Sequence, residues 1–169
     1  MAACRARAPG YAQAISANNA ESTGVALREI LVLNGPNLHL LGTREPEIYG
    51  YDTLAQINAR LISQGTALGL IVECRQTNHE GVLVDWLHEA RARGIHAVLL
   101  NAGAYTHTSI ALLDAIKAIQ LPVIEVHLSD PATREPFRQL SYVGMAAVAC
   151  IKGLGAGSYT AALEHAAAL

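Results

Sequence analysis

The residues most able to do chemistry in this 169-residue chain are a small set of polar side chains that follow short apolar runs. Asn34, Asn37, Arg44, Tyr49 and Tyr51 follow the first run. Arg75, Gln76, Asn78, His79 and Glu80 follow the second, and Asn101, Tyr105, Thr106 and His107 the third. His127, Ser129, Asp130, Arg134 and Arg138 follow the fourth. Together they suit proton transfer on a polyhydroxylated anion. Asn and Ser hold hydroxyls, and an arginine grips a carboxylate with two parallel hydrogen bonds. His107 exchanges protons near neutral pH, since imidazole titrates near about 6.5. Tyrosine, with a reference value of about 10, becomes a base only with a cation within about 4–6 Å. Arg44 precedes Tyr49 by five residues, and a folded loop would let them meet. Spacing alone favours the simpler arrangement, an exposed arginine and a packed tyrosine.

Other chemistries fit less well. No Cys-x-x-Cys pair is present, and Cys4, Cys74 and Cys150 are isolated, as reduced thiols are. His39, His107 and His127 lack metal-ligand spacing. Ser129 lacks the Gly-x-Ser-x-Gly elbow of a hydrolase. Neither a P-loop nor a Gly-x-Gly-x-x-Gly follows the first run, so no nucleotide cofactor is implied. The formal charge of −2 disfavours a non-specific nucleic-acid binder. No apolar stretch reaches the roughly 20 residues of a membrane span.

These side chains need a scaffold, and its pattern is regular. Ile30–Leu33, Leu70–Cys74, Ala97–Leu100, Val123–His127 and Ala146–Ile151 read as strands buried on both faces. Helices alternate with them. One is capped by Asp52 or Thr53, with Leu54, Ile57, Leu61 and Ile62 inward. The others cover about 81–93, 108–119 and 155–169. The alternation predicts βαβ units and a doubly wound α/β fold, a flavodoxin-like five-stranded parallel sheet of order 2-1-3-4-5. Active residues then lie beyond the carboxyl ends of the strands. Residues 1–27 read as a disordered extension or a start placed too early, ahead of a transit peptide, and 28–169 as a single catalytic domain.

Four stretches resemble type II 3-dehydroquinate dehydratase: Leu33-Asn34-Gly35-Pro36-Asn37-Leu38, Gly42-x-Arg44-Glu45-Pro46-x-x-Tyr49-Gly50, Asn101 through Ser109, and Glu125-Val126-His127-Leu128-Ser129. The similarity runs from about Ile30 to Ala162. It implies anti elimination of water from 3-dehydroquinate through an enolate, without metal or cofactor. Tyr49 would be the base, with Arg44 lowering its pKa. Asn37 would hold a water at the enolate oxygen. His107 would protonate the leaving hydroxyl, positioned by Asn101. His127, Leu128, Ser129 and Arg138 would hold the substrate, and Glu125 would orient the imidazole. Residues 42–52 would close as a lid. Asp114 matches a residue that reaches a neighbouring copy, in a homo-oligomeric dodecamer of trimers located in the cytoplasm.

His39, Asp130, Ala132 and Leu140 depart from the family's usual residues. Asp130 places a negative charge beside the carboxylate site unless Arg134 pairs with it, so drifted substrate choice is a rival reading. A non-catalytic flavodoxin-like module that binds a flavin or a protein is another.

Overall fold

The computed structural model describes residues 27–169; the expected extension lies outside them except for Leu27. Five parallel strands, β1 (Arg28–Asn34), β2 (Leu70–Gln76), β3 (Ala97–Asn101), β4 (Val123–His127) and β5 (Ala149–Lys152), pair in the order β2-β1-β3-β4-β5. This is the expected flavodoxin-like order.

The central strands are buried along most of their length because helices cover both faces. Ile30, Val32, Leu99, Ile124 and Val126 pack beneath α2 (Leu54–Ala67) and α5 (Gly157–Ala167). Leu31, Leu33, Val98, Leu100 and Val123 pack beneath α3 (Glu80–Arg93) and α4 (Ile110–Ile119). Neighbouring residues of one strand thus feed opposite cores, which explains the unbroken apolar runs.

Local signals place the helix ends. Thr53 and Gln56 form a capping box at the start of α2, and Ser109 caps α4. Three expectations shift. Ile62 turns outward and is 48% exposed, because Leu61 beside it already fills the core-facing stripe of α2. Strand β5 starts at Ala149, after turns over 142–146. The loop between β1 and α2 contains a 3-10 turn at Leu38–Leu40 and a short α-helix, α1 (Pro46–Tyr49), started by Pro46.

The sheet order reverses between β1 and β3, and their carboxyl ends draw together there. Gly35 donates its N–H to the Asn101 carbonyl at 2.7 Å. A Cβ on Gly35 would sit 2.5 Å from the Ala102 carbonyl oxygen, so only glycine permits this approach.

Candidate active site

An open cleft lies beyond the carboxyl ends of β1, β3 and β4. Its lining includes Asn37, Arg44, Tyr49, Asn101, His107, His127, Leu128, Ser129 and Arg138, nine of the positions singled out in the sequence. Arg134 joins them. Glu125 lies behind His127, whereas Asp114 sits on the exposed face of α4, outside the lining.

Asn37 opens the rim at the end of β1. Its φ of 67° is left-handed, a conformation asparagine tolerates better than most residues. The Asn78 side-chain oxygen holds it by accepting from the Asn37 N–H at 3.0 Å and from Gln76 at 3.0 Å. Sequence reading placed Asn78 on the rim without assigning it this task.

Tyr49 is the last residue of α1, between Glu45 at φ 41° and Gly50 at φ 83°. The guanidinium carbons of Arg44 and Arg134 lie 5.6 and 5.8 Å from its ring centre. Arg44 approaches the ring while its Nε donates to Glu45 at 2.8 Å. Arg134 donates from Nη1 to the Tyr49 hydroxyl at 2.8 Å. Burial weighs against the Arg134 charge, but the contact with Tyr49 and nearby carboxylates raises its pKa overall. Arg134 comes from the turn after β4, where its place four residues before Arg138 was the available signal.

The two cleft imidazoles are held differently. His127 is buried, and its Nε2 meets the Glu125 carboxylate at 2.9 Å. That carboxylate also accepts from Ser141 at 2.6 Å and from the Thr106 hydroxyl. Burial would raise the Glu125 pKa, but His127, Ser141 and Thr106 outweigh it and bring it down to about 2. The pair is therefore a buried carboxylate with three hydrogen-bond partners on its Oε1, a condition under which a buried charge is tolerated. His107 instead directs Nδ1 at the Leu140 carbonyl, 2.7 Å away. A carbonyl only accepts, so Nδ1 carries the proton and Nε2 of the neutral ring is left as an acceptor.

Asn101 is fixed from beneath the sheet. Its Nδ2 donates to the buried Tyr159 hydroxyl at 2.9 Å, which in turn donates to Asn34 at 2.5 Å. Its Oδ1 accepts from the Gly103 N–H at 3.2 Å. Burial pushes the ionisation of Tyr159 upward, so its hydroxyl stays neutral.

The side of the cleft formed by Arg134 and Arg138 is basic and braced. Glu135 accepts from Arg138 Nε at 2.7 Å and lies 3.7 Å from Arg134. Asp130 does not pair with Arg134; its carboxylate meets Lys152 Nζ at 2.9 Å and caps the following turn through the Ala132 N–H at 2.9 Å.

The sequence model of the family described as "Dehydroquinase class II" matches residues 28–167. The chain is 53% identical over 141 residues to a 3-dehydroquinate dehydratase of Bradyrhizobium sp. strain BTAi1, covering 83% of this chain and 86% of that one. It is 56% identical over 140 residues to 3-dehydroquinate dehydratase 2 of Pseudomonas putida strain KT2440, covering 83% and 93%. The crystal structure of type II dehydroquinase from Propionibacterium acnes superposes with a TM-score of 0.81 at 45% identity, covering 84% and 97%.

Proposed function

This chain belongs to the dehydroquinase class II family, and from that premise we propose how its cleft dehydrates 3-dehydroquinate. The protein is a 3-dehydroquinate dehydratase, a hydro-lyase. What remains to be assigned is the work of each side chain.

Tyr49, as tyrosinate, removes a proton from the carbon beside the substrate ketone. Arg134 at the phenolic oxygen and Arg44 at the ring stabilise the anion it must form. Asn37, at the mouth, holds a water against the enolate oxygen that develops. The enolate then collapses, forms the new carbon–carbon double bond and expels the hydroxyl, which takes a proton and leaves as water.

We assign that proton to His127 rather than to His107. The ionised Glu125 stabilises an imidazolium at His127, and such a ring can give up its Nδ1 proton. His107, bonded to a neutral carbonyl, is better suited to accept a bond from a substrate hydroxyl. Asn101 shares this positioning task. Arg138, Ser129 and the Leu128 backbone hold the carboxylate and remaining hydroxyls. Residues 42–52, which carry Arg44 and Tyr49, close over the bound ring and exclude water.

The exposed Asp114 extends toward a neighbouring copy's cleft in a dodecamer of trimers, and the compartment is the cytoplasm. No helix among the described residues is long and apolar enough to cross a membrane.

One observation carries the reading: a guanidinium-bound phenol and a carboxylate-bound imidazole line the same cleft. The test is the growth of ultraviolet absorbance as 3-dehydroquinate becomes a conjugated enone. A purified chain that produces no such signal refutes it.

A further inference from the structure

Behind the cleft, one donor atom each from Glu125, His127 and Cys150 converge, all within 4.8 Å of one another. The sheet brings them together. Parallel pairing sets Cys150 in register with Glu125. His127 lies two residues further along β4, so it projects from the same face. All three stand on strands, which hold donors more firmly than loops do.

Access and valence are also provided. Cys150 is exposed on β5, the edge strand, while Glu125 and His127 are buried behind it. Glu125 gives Oε1 to Thr106, Ser141 and His127, and Oε2 accepts none of these bonds. Lys152, the register partner of His127, is turned into its ion pair with Asp130 and so does not oppose an incoming cation as a free charge. A thiolate, an imidazole and a carboxylate form a donor set for zinc-class ions, with a fourth position left for water. Calcium and magnesium require more oxygen ligands than this group offers.

We propose that Glu125, His127 and Cys150 bind a zinc-class divalent cation, and that its binding stops dehydration by drawing the His127 imidazole away from its Glu125 partner. The cation displaces the thiol proton, which passes to solvent, and the Nε2 proton that His127 holds against Glu125, which passes to Nδ1 or to solvent; no bond of the substrate changes. The inhibitory part rests on the role given to His127 above. Cys150 has no part in the dehydration itself, so its substitution tests metal binding without touching the catalytic pair.

The test follows 3-dehydroquinate turnover during titration with Zn²⁺, and the ultraviolet thiolate-to-metal charge-transfer band during titration with Cd²⁺. Both are run on the full chain and on Cys150→Val. The unsubstituted chain should develop the band and lose activity. Cys150→Val should keep its metal-free activity and lack this band, although Cys4 and Cys74 remain. Its inhibition midpoint should rise by about tenfold or more. The proposal is overturned by no band in the unsubstituted chain, by equal midpoints in the two proteins, or by a band without loss of activity. A metal-free chain inactive on 3-dehydroquinate would instead strike the assigned reaction, and the Cd²⁺ band would still decide the site.

Discussion

Arg134 reaches across 85 residues of sequence to donate a hydrogen bond to the Tyr49 hydroxyl. The second guanidinium beside this ring, that of Arg44, faces the ring and is shared with Glu45. The two cations therefore differ in their hold on the phenolic oxygen, and that difference can be measured.

Removing the oxygen is the first test. Tyr49→Phe keeps the ring between the two arginines but deletes the base. We expect kcat to fall by about 10²–10⁴-fold or more, the span of acid–base catalysis, with KM little changed. Enone absorbance measures the rate and equilibrium binding of 3-dehydroquinate measures the retained affinity. Full turnover in this variant would end the assignment.

The arginines should then rank. Arg134→Ala loses the charge-assisted contact to oxygen and should cost about tenfold or more in kcat, with the rising limb of the pH–rate profile moved upward by about one pH unit. Arg44→Ala should cost less, because its charge is already divided with Glu45. Profiles of kcat/KM against pH for both variants decide the order, and an equal shift in both would contradict it.

The two histidines separate in the same way. His127→Ala should lower kcat by about 10²-fold or more, whereas His107→Ala should act mainly on KM. The reverse ranking would return the acid's task to His107.

Glu125 gives a pH-dependent contribution to stability. Its carboxyl, at about 2 in the fold against an ordinary 4.5, releases its proton more readily when folded. Stability from this shift is fully present above about 4.5 and is lost as pH falls toward 2; at full size it is roughly 3 kcal/mol. Glu125→Gln should therefore be less stable than the unsubstituted chain at pH 6, with the gap closing as pH is lowered to 3. Urea unfolding midpoints across that range provide the check, and a constant gap would refute the coupling.

Lys152 should matter through charge. Asp130 stands between Ser129 and Pro131, both of which line the cleft. Lys152→Ala leaves its carboxylate uncompensated near an anionic substrate, so KM should rise several-fold at low salt with kcat preserved. Adding Asp130→Asn, which can still cap the turn, should restore KM. A double variant as weak as the single one would mean that Lys152 acts without Asp130.

The strand order and most of the rim were readable because buried parallel strands leave continuous apolar runs, and chemistry gathers where those runs end. The Arg134–Tyr49 contact was not, since no local period links a turn after β4 to the last residue of α1. Arg44 drew attention instead because it is near in sequence. Lys152 was missed as the partner of Asp130 for the same reason: their meeting depends on β5 lying beside β4. The helical turn at Pro46–Tyr49 is too short to show a period, although Pro46 marked its start. The carboxylate beside His127 was legible, since Glu125 stands two residues before it on β4, whereas the carbonyl facing His107 comes from Leu140 in a separate segment, which residue type does not reveal.

The Tyr159 hydroxyl bridges Asn34 and Asn101, at the ends of two central strands, from a helix that follows all five strands in the chain. During synthesis the sheet can therefore pair before this hydroxyl arrives, leaving two amides of the unfinished chain without their shared partner. Enzymatic competence should therefore wait for α5, whose Tyr159, Ala162, Leu163 and Ala166 also complete one of the two cores.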